Sequence, residues 1–435
     1  MREKFLRQLK VKKHWGIRSL VLSNNRLSRR VGLSFLYLVQ GIPQGLIYFA
    51  LIDWMASRNF SITDIAIITS IASLPWALKF IIGPFVDSYQ NSQMGKRKPW
   101  IIGSLFMLSI SFFLSSNVIS IELTPTLIGI SLFFIILCTA ILDVATDGLA
   151  IDILEDGERG LTNGFMWGTR TFGVGFAALL GSFLVRNYDL AQTFICFGII
   201  ILISCIFIIP QKENDKDKIF SISTYDTKKP IINIRKILKE LYSVSTSPLI
   251  FMLILFCLTS NISFGMHYVS ISNLYVTISG WDHETLTSIR SIGLYIGVLT
   301  ALAGGYLSDK FNPYRIIIFS QLIIAATIVL IVITGNEISN LYLGSLILIM
   351  LSAFGSFVMA ASLSLCMGLS IKAIAATQFA FLMSIRHLSR IIGEWLAGIL
   401  DFLNLSIQEI YLVMFFLSFL PILTIQRMVV LNKTR

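Results

Sequence analysis

Charge is what this 435-residue chain has least of. Asp, Glu, Lys and Arg together make up 14% of it, where a water-soluble domain carries about a quarter. A soluble protein of this length would run out of polar side chains before its surface was covered. Hydrophobic residues reach 55%, and mean hydropathy is +0.77. Histidine is rare: His14, His267, His283 and His387 are scattered singly. The five cysteines, Cys138, Cys196, Cys205, Cys257 and Cys366, all fall within apolar runs and have no metal-ligand spacing. They read as small buried hydrophobes, which argues against a disulfide framework or a zinc site. There is no Walker motif and no soluble catalytic domain, so an enzyme is not expected and no cofactor or metal is implied.

What is present is a series of long apolar runs with charge gathered between them. Runs of about 18 residues or more with few charges read as membrane spans. Twelve are expected, near 31–55, 64–87, 99–118, 125–148, 163–185, 190–210, 249–277, 285–307, 314–335, 340–369, 375–400 and 407–430. The run Val31–Met55 exceeds a signal-peptide core and lacks a cleavage pattern, so it reads as the first span. The expected organisation is a basic N-terminus 1–30, a six-helix bundle 31–210, a hydrophilic linker 211–247, a second six-helix bundle 248–430 and a short tail 431–435. Within the linker, Ile231–Leu241 suits either a short amphipathic surface helix or a solvated connection.

The net charge of +11 does not point to nucleic acid, because its location ties it to the membrane. The first thirty residues hold ten basic residues and one acidic residue, Glu3, and the linker holds eight basic residues. In all, 28 of the 35 basic residues fall in the termini and the loops that share their side, whereas the opposite loops hold Arg58 and Arg186. Basic loops stay in the cytoplasm and attract anionic lipid, so both termini are expected to be cytoplasmic.

Span 2 ends Gly83-Pro84-Phe85-Val86-Asp87, followed by Gly95-Lys96-Arg97-Lys98. Span 8 ends Gly305-Tyr306-Leu307-Ser308-Asp309-Lys310, followed by Arg315. Each has a Gly four residues before an Asp, with basic residues beyond. This resembles the signature of the major facilitator superfamily, whose fold is two parallel six-helix halves. The resemblance implies gating roles for Asp87, Arg97 and Asp309. The seven residues Ser88–Met94 stretch the first copy. Together with Leu74-Pro75-Trp76-Ala77-Leu78-Lys79-Phe80, Asp143-Val144-Ala145-Thr146-Asp147-Gly148 with Asp152, Glu158-Arg159-Gly160, Asn163-Gly164 and Gly168-Thr169-Arg170, they resemble the AmpG-like muropeptide permeases and the related acetyl-coenzyme A transporters. Gln378-Phe379-Ala380 with Ser384 also fits. The chain thus reads as an all-α membrane protein with a major facilitator fold.

Charges inside spans are costly and usually face protein or a water-filled cavity. Lys79 is well inside span 2, and snorkelling is the alternative to a cavity role. Asp143 and Asp147 are four apart on span 4 and share a face. Two carboxylates in a low-dielectric region raise each other's proton affinity, so either is a candidate proton carrier. A structural tie to Lys79 or Arg170 is the competing reading. Asp152, Glu155 and Asp156 belong to a gating or solvated loop, with Arg159 as a partner. Arg170 suits gating or contact with an anionic solute. Gly164 with Gly168 and Gly293 with Gly297 have the spacing of close helix packing. In span 1, Pro43 bends the helix, and Gln40 and Gln44 share a face. Gln44 is the expected cavity-lining residue. Span 11 carries Arg386, Arg390 and Glu394 in a stripe, with Gln378 two turns earlier. Arg390 and Glu394 can pair, whereas Arg386 could meet an acidic solute. His387 points elsewhere and reads as a packed histidine. Trp54, Trp281 and Trp395, near outer span ends, read as interface anchors.

The resemblance implies alternating access by a monomer in an inner membrane, with protons as coupling ion. The implied cargo is N-acetylglucosaminyl-1,6-anhydro-N-acetylmuramyl peptides for peptidoglycan recycling. Lys79, Arg170 and Arg386 would receive anionic groups, Gln44 and Gln378 amides or hydroxyls, and Asp143 or Asp147 the proton. Another organic anion, such as a carboxylate siderophore or a nucleotide-like cofactor, would suit the same basic cavity. A solute receptor that binds without translocating is a third reading.

Overall fold

A computed structural model describes residues 21–57, 62–89, 92–121, 124–221 and 233–433. Most of the basic N-terminus (1–20), Arg58, part of the linker (222–232) and residues 434–435 lie outside the described residues, as does the start of the expected Ile231–Leu241 helix.

Every regular element among the described residues is helical. Span 1 is α1 (Arg26–Gly45), a π-helical turn Leu46–Ala50 and α2 (Leu51–Ser57). The next five spans are α3 (Ile62–Ser88), α4 (Lys98–Ile121), α5 (Pro125–Ile153), α6 (Arg159–Asn187) and α7 (Leu190–Ile208). The linker carries α8 (Ile234–Ser245). Span 7 breaks into α9 (Pro248–Thr259) and α10 (Ile262–Ser272), and α10 runs into a second π-helical turn, Asn273–Ile278. The remaining spans are α11 (His283–Phe311), α12 (Pro313–Thr334), α13 (Leu341–Gly368), α14 (Ala375–Phe402) and the pair α15 (Ile407–Leu417) and α16 (Leu420–Lys433).

Eleven stretches among the described residues are long and apolar enough to cross a membrane. The twelfth expected span is α14, which has the length but carries Arg386, Arg390 and Glu394. Its charges are handled within the protein: Arg390 Nε meets Glu394 Oε1 at 2.6 Å, and Arg386 is buried. Apolar side chains such as Leu179, Ile206, Leu299 and Ile333 face outward from their helices. A surface of that kind is stable only in an apolar solvent. Pro43 does not end its helix: α1 runs through it to Gly45, and the widened turn at Leu46 follows directly. Such a turn re-satisfies backbone groups that proline disturbs.

The chain divides into two compact units. One comprises Met1–Pro75, Ile81–Leu154 and Gly173–Ile237. In it α4 packs against α5 and α7, and α1 packs against α5. Phe112 of α4 meets Phe194 and Phe197 of α7, and Ser109 donates to the Gly198 carbonyl at 2.8 Å. The other comprises Trp76–Phe80, Glu155–Phe172 and Leu238–Arg435. There α11 and α12 both lie on α13, and α10 lies on α14. The first half of α6 belongs to this unit and runs along α11. The glycines expected to permit close packing do so: an added Cβ on Gly164 would lie 2.6 Å from the Ala301 carbonyl oxygen, and one on Gly293 2.8 Å from Ser352 Oγ.

One expected anchor is corrected. Trp281 is buried in the core with Tyr275, Ile328, Ile347 and Tyr411. Its indole N–H donates to the Ser339 carbonyl, and its ring lies 5.0 Å from that of Tyr275. The Gly280 turn folds the span end back, so the side chain finds a partner inside the protein. Trp395 is 72% exposed and fits the anchoring role. Replacing Trp281 by Ala should therefore destabilise the purified protein by about 3 kcal/mol or more, seen as a lowered thermal midpoint in detergent. Trp395→Ala should leave the midpoint unchanged, and equal effects of the two would contradict this placement.

Candidate functional site

Cations held away from water need an anion, a dipole or a π-face. In the unit containing α9–α16, three segments bring such groups to Trp76. Lys79 is one turn further along α3, 3% exposed, with Nζ 5.8 Å from the Trp76 ring centre. Arg170 of α6 sits 5.1 Å from the same ring and 5.6 Å from the ring of Trp167. His387 of α14 places its imidazole 6.3 Å from Trp76. The histidine expected to point elsewhere thus faces the lysine–arginine cluster. Trp167 was not singled out in the sequence, and Trp76 only as one residue of the Leu74–Phe80 motif, because an aromatic residue in an apolar run looks like packing.

Arg386, beside His387, turns to the break between α9 and α10. Its Nη2 donates to Asn261 Oδ1 at 3.3 Å and meets Met359 Sδ at 3.2 Å. Asn261 returns a bond to the Arg386 carbonyl. Arg386 is 3% exposed, and its Nε and Nη1 are buried without a hydrogen-bond partner. Gln378 spends its amide elsewhere: Oε1 accepts from Ile371 N at 2.8 Å, and Nε2 donates to the Leu369 carbonyl at 3.3 Å. It braces the turn between α13 and α14.

The other unit holds the remaining polar candidates. Asp143 and Asp147 of α5 are 1% and 2% exposed. Asp147 accepts a short hydrogen bond from the Tyr37 hydroxyl of α1. Tyr37 was not anticipated; the available signal was a buried phenol one turn before Gln40. Gln40 is fully buried, and both its amide atoms lack partners. Gln44 is half-buried one turn later. The sequence reading chose Gln44, yet Gln40 has the unsatisfied groups that a ligand or water would complete.

The signature residues form two separate devices. Arg97 lies at zero exposure, with Nη1 2.7 Å from Asp87 Oδ1 and Nε 3.1 Å from Asp152 Oδ2. This joins the end of α3, the start of α4 and the end of α5. Burial opposes the guanidinium charge, but the fields and hydrogen bonds of Asp87 and Asp152 outweigh it and push the Arg97 pKa up. Asp152 therefore belongs to the buried device and not to a solvated loop. In the other unit, Asp309 at the end of α11 caps α6, accepting from Gly160 N at 2.7 Å and Leu161 N at 2.8 Å. A carboxylate there satisfies orphan N–H groups and the helix dipole. The cap needs a bare backbone, since a Cβ on Gly160 would lie 2.2 Å from the Gly305 carbonyl oxygen. Arg159 pairs with Asp156 at 2.6 Å.

The Major Facilitator Superfamily model matches residues 33–394. A Rickettsia typhi protein named as transporter AmpG 3 is 25% identical over 421 residues, covering 91% of this chain and 96% of its own length. A Rickettsia conorii protein named as transporter AmpG 1 is 25% identical, covering 88% and 92%. Among solved structures, FucP in the outward conformation superposes with a TM-score of 0.72 at 13% identity, covering 92% of this chain and 98% of FucP. The proton:xylose symporter XylE gives 0.67 at 12% identity, covering 92% and 95%.

Removing Arg97 takes the guanidinium from fully buried Asp87 and from Asp152, which keeps Lys96 Nζ at 4.0 Å. Arg97→Ala should cost about 3–5 kcal/mol. Arg97→Lys should recover only part, because an ammonium cannot span both carboxylates as a planar fork does. Thermal midpoints in detergent check the order; an Arg97→Ala protein as stable as wild type would refute it.

Proposed function

Since the chain belongs to the Major Facilitator Superfamily and is a multi-pass membrane transporter, we propose that it imports an organic anion by alternating access, the anhydromuropeptides of peptidoglycan recycling being the cargo. The observation that carries the anionic cargo is the gathering of Lys79 and Arg170 about Trp76, together with the unpartnered nitrogens of buried Arg386. A carboxylate would complete the Arg386 guanidinium, and an acidic substituent of the same solute would meet Lys79. Resemblance along most of the chain to AmpG-named transporters supports the choice of anion.

Asp143 or Asp147 carries the coupling proton in this reading. Each is almost completely buried, and Asp147 accepts a hydrogen bond from the buried Tyr37 hydroxyl. Asp87, Arg97 and Asp309 form the gate: the first two lock helix ends in one unit, and the third caps α6 in the other. The basic side that carries the termini is the cytoplasmic face of an inner membrane, and the monomer is the working unit.

Uptake of anhydromuropeptide into proteoliposomes with an imposed pH gradient tests the cargo. Uptake should be saturable, and the Lys79→Gln and Arg386→Gln proteins should lose about tenfold or more in affinity for the anion, on the scale of one charged hydrogen bond. If the muropeptide neither enters nor competes with any accumulated solute, the cargo is wrong.

Coupling is tested separately. Asp143→Asn or Asp147→Asn should lower gradient-driven accumulation while leaving solute exchange running. Undiminished accumulation in both single variants and in the double variant would remove the proton from these residues.

A further inference from the structure

The turn that leads into α4 presents three successive backbone N–H groups, those of Lys96, Arg97 and Lys98, the last being the first residue of the helix. A helix start of this kind is an anion site. Here the anion comes from the chain itself, 115 residues later. Glu213, 3% exposed, accepts from Lys96 N at 2.9 Å through Oε2, and from Arg97 N at 2.7 Å and Lys98 N at 2.6 Å through Oε1. Gly95 makes room for it: its φ is +119°, and a Cβ there would lie 2.5 Å from the Glu213 carboxyl carbon. Burial pushes the Glu213 carboxyl up from its usual range, and the three N–H groups pull it back.

Three stretches of chain meet around the segment that carries Glu213. Leu22 N and Ser23 N donate to the carbonyls of Lys212 and Glu213 at 2.8 and 3.0 Å. Asn24 Nδ2 donates to Asp215 Oδ2 at 2.6 Å. Lys98 Nζ donates to the carbonyls of Ile209 and Ile219, each at 2.7 Å. Lys218 N donates to the Gln93 carbonyl at 2.8 Å. The residues after α7 are thereby strapped across the loop between α3 and α4. Arg97 is the point of contact with the gate: its backbone N–H goes to Glu213, while its guanidinium goes to Asp87 and Asp152.

We propose that Glu213 is a positioning residue of the gate, an internal anion that sets the Gly95–Lys98 turn so that Arg97 spans Asp87 and Asp152, and so makes the gate answer to the linker. The proposal rests on the gating role given above to Arg97. The residues just after α7 are then part of the device, through Glu213 and the Lys98 contacts with the Ile209 and Ile219 carbonyls.

Hydrogen–deuterium exchange of the full chain in nanodiscs tests this without a transported solute. In the Glu213→Ala protein, amides of 95–98 should exchange at least about tenfold faster, the scale of a lost charged hydrogen bond. Amides of 149–154, which Glu213 does not bond, should also speed up because Asp152 loses its placed guanidinium. Formate added to about 0.1 M should restore both stretches by refilling the carboxylate position. Gly95→Ala, whose Cβ displaces the carboxylate, should reproduce the pattern if Glu213→Ala folds poorly. The proposal is overturned if 149–154 keeps wild-type exchange in both variants, or if formate restores neither stretch in Glu213→Ala. If both stretches loosen and formate restores them while anhydromuropeptide uptake is unchanged, Glu213 positions Arg97 and it is the gating role of Arg97 that fails.

Discussion

Arg97 has no exposure to solvent and two carboxylates within reach. A guanidinium in that place is tolerable only if its counter-charges are held still, and a buried carboxylate has the same need of its cation. The ends of α3, α4 and α5 are arranged around this mutual requirement. Gly95 leaves room at the same turn for the Glu213 carboxylate, which accepts from Lys96, Arg97 and Lys98 N. In the other unit, partly buried Asp309 instead accepts from two backbone N–H groups at the start of α6. The two signature copies look alike in sequence, yet they are compensated by different means.

The fold was legible because membrane spans are governed by one strong term. Hydrocarbon forbids unsatisfied backbone, so apolar runs of sufficient length become helices. Span 11 was the hardest case: it forms the expected helix, Ala375–Phe402, and Arg390 and Glu394 pair one turn apart, although it is too charged to be among the eleven apolar stretches. What the sequence hid were contacts distant along the chain. Trp281 looked like an interface anchor by position, but a turn at Gly280 buries it. Glu213 looked like one charge in a hydrophilic linker, and nothing local marks it as the ligand of a turn 115 residues earlier.

Site residues divide along the same line. Lys79, Asp143, Asp147 and Arg170 were visible because charge in an apolar run is conspicuous. The side chains that define their surroundings were not. Trp76 and Trp167 become informative only once Arg170 lies between them, and Tyr37 only once its hydroxyl meets Asp147. Gln378 was chosen for being polar in a span, and its amide is occupied by the turn beside it. Gln40 shows the opposite: one turn from the residue singled out, it carries the amide atoms that lack partners. Polarity within a span locates a polar region; which member is left with spare hydrogen-bonding capacity depends on neighbouring helices.

The widened turns at Leu46–Ala50 and Asn273–Ile278 occur in the first span of each half, and each centres on a tyrosine between apolar residues, Ile47-Tyr48-Phe49 and Leu274-Tyr275-Val276. A π turn inserts about one residue into the helical count, which rotates everything beyond it by about 100°. In the first span the short helix Leu51–Ser57 therefore runs in a different phase from Arg26–Gly45, whereas in the seventh the widened turn is the last of the helix and Gly280 closes it.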